Sequence, residues 1–217
     1  MIRLFVLVEG PTEESFVNKV LAPALWVRQV HPTPILLHGR TNYERVSREV
    51  LIILKQDQSA YCTTMIDFYG LGRGFPGTSA SSNAPGLTKV RQIEATFKQD
   101  ICAKVPSLRP DVRFVPYLQL HEYEALLFSQ PETLADAVQQ PKLATKLRAI
   151  RDAFASPEEI DDGPTTAPSK RILAVHPSYS KVIEGVQAAA SIGIQRICRE
   201  CPHFREWIET LEGLGRC

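Results

Sequence analysis

Three apolar runs in this 217-residue chain end on acids. Leu4 to Val8 runs into Glu9, Ala60 to Ile66 runs into Asp67, and a stretch closing at Leu120 runs into His121, Glu122 and Glu124. Glu13 and Glu14 follow Glu9 within "VEGPTEESF". A hard divalent cation such as Mg2+ (or Mn2+) takes a few carboxylates, keeps several waters and is completed by substrate phosphates. Glu9, Glu13, Asp67 and Glu122 are therefore the candidate metal ligands, and Glu9 doubles as a candidate general base. A plainer reading competes: turns favour acids, and acids in a first helical turn complement the helix dipole. That reading suits Glu14, but it does not account for Glu9, which precedes the helix.

Leu4 to Val8 is apolar without alternation, which predicts a strand buried on both faces, as in a parallel sheet. Gly10-Pro11 stops it, and Thr12 stands at the expected N-cap of a helix carrying Phe16, Val17, Val20, Leu21 and Leu25. A second strand is expected at Pro34 to His38, a helix at Tyr43 to Lys55, a third strand at Ala60 to Ile66, a helix at Thr88 to Ala103 and a fourth strand at Arg113 to Leu120. In open parallel sheets the carboxyl ends of the strands form the ligand crevice, and each acid falls at such an end. Gly70 to Gly86, rich in Gly, Pro, Ser and Asn, reads as a mobile loop over that crevice. From Pro131 onward the patterns are helical, at Glu132 to Gln139, Lys142 to Ala155, Lys170 to Val175, Tyr179 to Ile192 and Ile194 to Leu214, with Pro157 to Pro168 as a connection. The expected organisation is an α/β domain over residues 1–130 and a helical cap over 131–217.

With 25 basic and 24 acidic residues the net charge is +1, so any polyanion must be met by a local patch. Five cysteines, an odd and scattered set, argue against a disulfide framework, and no secretory leader or membrane-length apolar run is present. A reduced cytoplasmic protein is expected.

"FVLVEGPTEESF" resembles the first motif of the Toprim fold, a hydrophobic strand ending in Glu-Gly, with a further acid in the nuclease branch; Glu9, Gly10 and Glu13 match. "TTMIDFYGL" resembles the second motif, a strand delivering Asp-x-Asp, with Asp67 as the first acid and Tyr69 in place of the second. Over almost its whole length the chain is similar to a bacterial family of small Toprim-related proteins known as a domain of unknown function and reported beside ATPase genes. The stretches that carry this are "VEGPTEE", "NYERV", "TTMIDFYGL", "FPG", "HEYEALLF", "DDGPTTAPSKRI", "SYSKVIEG" and "CPHFREWIETLE". The resemblance implies a Rossmann-like sheet flanked by helices and a magnesium-dependent nuclease, with nucleic acid as substrate, an ATPase as partner and bacterial defence or repair as setting. The alternative it leaves is a catalytically silent subunit that binds an ATPase or nucleic acid, which Tyr69 favours.

Other residues carry weaker signals. Ser169, Lys170 and Arg171 stand at a helix start where a phosphate can be held, and Lys170 is a candidate to neutralise a phosphate oxygen; an ordinary capped helix with solvated cations explains them equally. His121 reads as a ligand, a proton shuttle or a structural histidine. Cys198 and Cys201, with His203 beyond, lack a second pair except Cys217, so a helix junction at Pro202 is expected in preference to zinc. Arg40, Arg45 and Arg48, interleaved with Asn42 and Tyr43, line a possible polynucleotide path or are simply solvated helix charges.

Overall fold

The computed structural model describes residues 1–39, 41–72, 74–78, 86–160, 163 and 166–215. Five parallel strands form one sheet: β1 (Ile2–Val8), β2 (Val30–Leu36), β3 (Tyr61–Asp67), β4 (Phe114–Val115) and β5 (Leu118–Gln119). Their order is β2-β1-β3-β4, with β5 also on β3. The chain winds from β1 to β2 on one side and returns to β3 on the other. The strand order therefore reverses between β1 and β3, the point where open α/β sheets part their loops into a crevice.

Alternation along β1 explains why its apolar run is unbroken. Leu4, Val6 and Val8 point into one core, whereas Leu7 points into a second on the opposite face. The second core is closed by α3 (Tyr43–Gln56) and α4 (Gly86–Lys104), through Val46, Val50, Val90 and Phe97 among others. The first is closed by α1 (Pro11–Phe16), a π-helical stretch Val17–Leu21 and α2 (Ala22–Trp26). Helices from the C-terminal part join the same core: α6 (Pro131–Ala137), α7 (Ala144–Asp152), α8 (Pro168–Val175), α9 (Val186–Ile192), α10 (Ile194–Glu200) and α11 (Pro202–Glu212). The result is a sheet between two helical layers, the α/β class the patterns predict. No helix among the described residues is long and apolar enough to cross a membrane.

Several expected boundaries are corrected. Gly10, not Thr12, is the N-cap of α1; Thr12 lies inside the helix, and Glu13 closes a capping box by accepting from the Gly10 amide at 3.0 Å. β2 begins at Val30 rather than Pro34, because Pro32 and Pro34 are tolerated on an edge strand. The fourth strand is preceded by a short helix, α5 (Pro110–Arg113), and is split into β4 and β5 at Pro116, which has no amide proton to give the ladder. The register nevertheless carries across the gap, from Thr63–Val115 to Ile66–Leu118. Thr64 fills it: its hydroxyl donates to the Tyr117 carbonyl at 2.7 Å and accepts from the Tyr117 amide at 2.9 Å. The expected helix at Tyr179 to Ile192 opens as a π-helical stretch, Lys181–Gly185, before α9, whereas the final helical stretch divides at Pro202, where the sequence predicts a junction.

Candidate metal and phosphate site

Glu9 leaves β1 one residue beyond the last β1–β3 pair, Val8–Met65, and Asp67 ends β3 two residues beyond it. Both acids thus stand at the carboxyl edge of adjacent strands, at the switch point. Gly70, at the end of the 3-10 turn Phe68–Gly70, packs so closely on the Glu9 carboxylate that an added Cβ would collide with Oε2 and lie 3.0 Å from Cδ. A side chain at position 70 would push Glu9 out of place.

Two further acids reach the same spot. Glu13 comes from the first turn of α1 and is 4% exposed; Glu124 comes from the 3-10 stretch Tyr123–Ser129 and is wholly buried. The ammonium of Lys181 stands among them, 3.2 Å from Glu124 Oε2, 3.5 Å from Asp67 Oδ2 and 3.8 Å from Glu13 Oε1. Its segment is held by Glu184, which accepts from the Ser180 amide at 2.6 Å and lies 3.1 Å from His176 Nε2. Lys181 opens a π-helical stretch, a geometry that tends to accompany functional sites.

Three carboxylates share one ammonium and a fourth, Glu9, stands beside them, so the site is short of positive charge. Burial raises the pKa of Asp67 well above the usual carboxylate range, Lys181 pulls it back, and Glu13, Glu124 and Glu9 push it further up. Glu9 is likewise raised, by burial and then by Glu13, and Glu124 by burial chiefly. Burial works against the charge on Lys181, but Asp67, Glu124 and Glu13 together hold its pKa above the ordinary lysine value. Glu9 Oε2, Asp67 Oδ1 and Glu124 Oε1 are buried with no hydrogen-bond partner among the described residues. Orphaned, hard oxygen donors in a charge-deficient pocket suit a divalent cation. Among the described residues no three such groups already stand at metal-ligand spacing; Lys181 serves as counter-ion to three of them.

A model of the family described as "Domain of unknown function (DUF4276)" matches residues 8–212. The chain belongs to the DUF4276 family. No curated protein matches it, and no solved structure does. The DUF4276 match spans the whole cluster, from Glu9 to Lys181.

Of the residues singled out in the sequence, Glu9, Glu13 and Asp67 are brought together. Glu122 is turned elsewhere: its Oε2 accepts from the Ser169 amide at 2.9 Å and so caps α8. Lys170 is exposed on the first turn of that helix. A carboxylate thus occupies the amide that a phosphate would use. Glu124 and Lys181 were not assigned to the site by sequence. Glu124 carries a signal, being the one charge within the apolar run "YEALLF"; Lys181 carries none, because its place is set by long-range packing.

Several other candidates have structural partners, and Cys217 lies outside the described residues. His203 pairs with Glu94 at 3.0 Å, and the Cys201 thiol lies 3.4 Å from the Ser129 hydroxyl. Arg45 and Arg48 form ion pairs with Glu49 and Glu44 along α3, whereas Arg40 lies outside the described residues. Most of the expected loop tip, residues 79–85, and Arg73 also lie outside them. Phe75, within that loop, is buried against Tyr43 and Phe97.

Proposed function

We propose that this chain is a divalent-cation-dependent phosphodiesterase acting on nucleic acid, in the manner its Toprim-like motifs suggest. The observation that carries the reading is the convergence of Glu13, Asp67 and Glu124 on Lys181, with Glu9 beside Asp67 at the switch point between β1 and β3. Glu13, Asp67 and Glu124 would hold Mg2+ or Mn2+, the unpaired oxygens of Asp67 and Glu124 meeting the demand for hard ligands. A bound divalent cation supplies Lewis-acid polarisation of a phosphate oxygen and a more acidic water. Glu9 would accept a proton from the attacking water at its buried Oε2. Its raised pKa brings it closer to working pH, which suits a general base. Lys181, part of whose side chain reaches solvent, would turn its ammonium from the carboxylates to a phosphate oxygen and offset the charge that develops there. An ATPase partner and a cytoplasmic setting in bacterial defence or repair complete the proposal.

Lys181 also favours a second reading. An ammonium already shared by three carboxylates can act as a permanent counter-ion, leaving a silent subunit that binds an ATPase or nucleic acid through the same edge. Purified wild type and Asp67→Asn, incubated with single- and double-stranded DNA and RNA in magnesium or manganese, alone and with an ATPase, separate the two. The phosphodiesterase predicts cleavage by wild type and at least a hundredfold loss in Asp67→Asn with the fold intact, as expected for removal of an essential charged group. Equal product from both proteins, or none from wild type under any condition, would overturn it.

A further inference from the structure

The turn that presses on Glu9 also carries an aromatic ring. Tyr69, two residues past Asp67 and next to Gly70, is 52% exposed, an unusual state for a large ring beside a site whose acids are buried. It stacks on His121, with centroids 5.4 Å apart and planes 11° from parallel, and Phe68 meets its edge at 5.1 Å. His121 is 8% exposed and sits at the turn after β5 with φ of +61°, a left-handed conformation uncommon for a residue with a side chain. The two rings therefore form a stack that is buried at the His121 end and reaches solvent at the Tyr69 end.

We infer that Tyr69, backed by His121, is a stacking platform for an unpaired base of the nucleic acid, holding the nucleotide next to the phosphate at the acidic cluster. This rests on the phosphodiesterase reading and names its substrate as a strand with an accessible base. Three points on the molecule lead to it. The Cα atoms of Tyr69 and Gly70 are ~3.8 Å apart, and Gly70 packs on the Glu9 carboxylate, so the ring is anchored beside the acids. A planar ring backed by a second, buried ring is preorganised for another layer, and every base offers a π-face to it irrespective of sequence. Tyr69 also adds no negative charge two residues past Asp67, so the strand can approach there with less repulsion than a further acid would cause.

Binding tests this without hydrolysis. A labelled single-stranded oligonucleotide and one of equal length made of abasic sugar-phosphate units are titrated with wild type, Tyr69→Ala and Tyr69→Trp in metal-free buffer and in Ca2+. Fluorescence anisotropy should show Tyr69→Ala weakening the base-containing strand about tenfold while the abasic strand is held as before; Tyr69→Trp should retain the wild-type preference for bases. Equal affinity of wild type and Tyr69→Ala for the base-containing strand, or equal losses on both strands, would overturn the platform and leave the phosphodiesterase reading standing. Failure of wild type to bind either strand would remove the nucleic-acid substrate and the platform with it.

Discussion

At the residue scale, the cluster is a balance between four acids and one ammonium, and pH should expose it. Asp67, raised in the folded protein, binds its proton more tightly folded than unfolded. In metal-free protein its ionisation therefore costs stability progressively as pH rises above the ordinary aspartate value near ~4 and through the raised folded value. Asp67→Asn removes that cost, so the melting temperature of the variant should gain on wild type from pH 4 to pH 8; a gap that stays constant with pH would contradict the assignment. Lys181→Met should do the reverse. Without the ammonium the carboxylates lose their partner, and the variant should be less stable than wild type at pH 8, with the deficit shrinking at pH 5 as the acids take up protons. Glu9, Glu13 and Asp67 were legible in the sequence because each ends or follows an apolar run at a turn. Lys181 was not, since nothing local in "SYSKVIEG" indicates that its segment folds back onto the edge of the sheet.

At the element scale, the sheet edge depends on how β3 meets a strand broken by proline. Thr64 supplies by side chain what Pro116 withholds from the ladder, and both of its bonds to Tyr117 are buried. Thr64→Val keeps the shape and removes both, leaving the Tyr117 amide and carbonyl unpaired. Urea unfolding should register a loss of about 2 kcal/mol; a loss below about 0.5 kcal/mol would mean that the gap is bridged some other way. Apolar, β-branched runs bounded by turn residues point to each of the strand regions. They could not place the break at Pro116, where the apolar pattern continues in register, nor the early start of β2, where edge position overrides the reluctance of proline to join a strand.

At the scale of the whole molecule, the C-terminal helices and the sheet share an apolar core. Trp207 of α11 stacks on Tyr117 with centroids 4.2 Å apart and donates its indole N–H to the Thr63 hydroxyl at 2.9 Å. Trp207→Ala should therefore cost 3–5 kcal/mol, to the order of large core truncations, and lower the stability of strands and helices in one transition seen alike by fluorescence and circular dichroism. Separate transitions for the two probes would contradict a shared core. The same packing brings Glu124 and Lys181 to the strand ends that carry Glu9 and Asp67, so the site exists only in the complete fold. Its central property is a demand for positive charge, and titration calorimetry of wild type with Mn2+ or Mg2+ at pH 7.5, repeated in buffers of different ionisation enthalpy, measures that demand. Saturable binding with net proton release, weakened as pH falls toward 5 and at least tenfold weaker in Asp67→Asn, is the predicted result. No binding, or binding indifferent to pH and to Asp67→Asn, would contradict it.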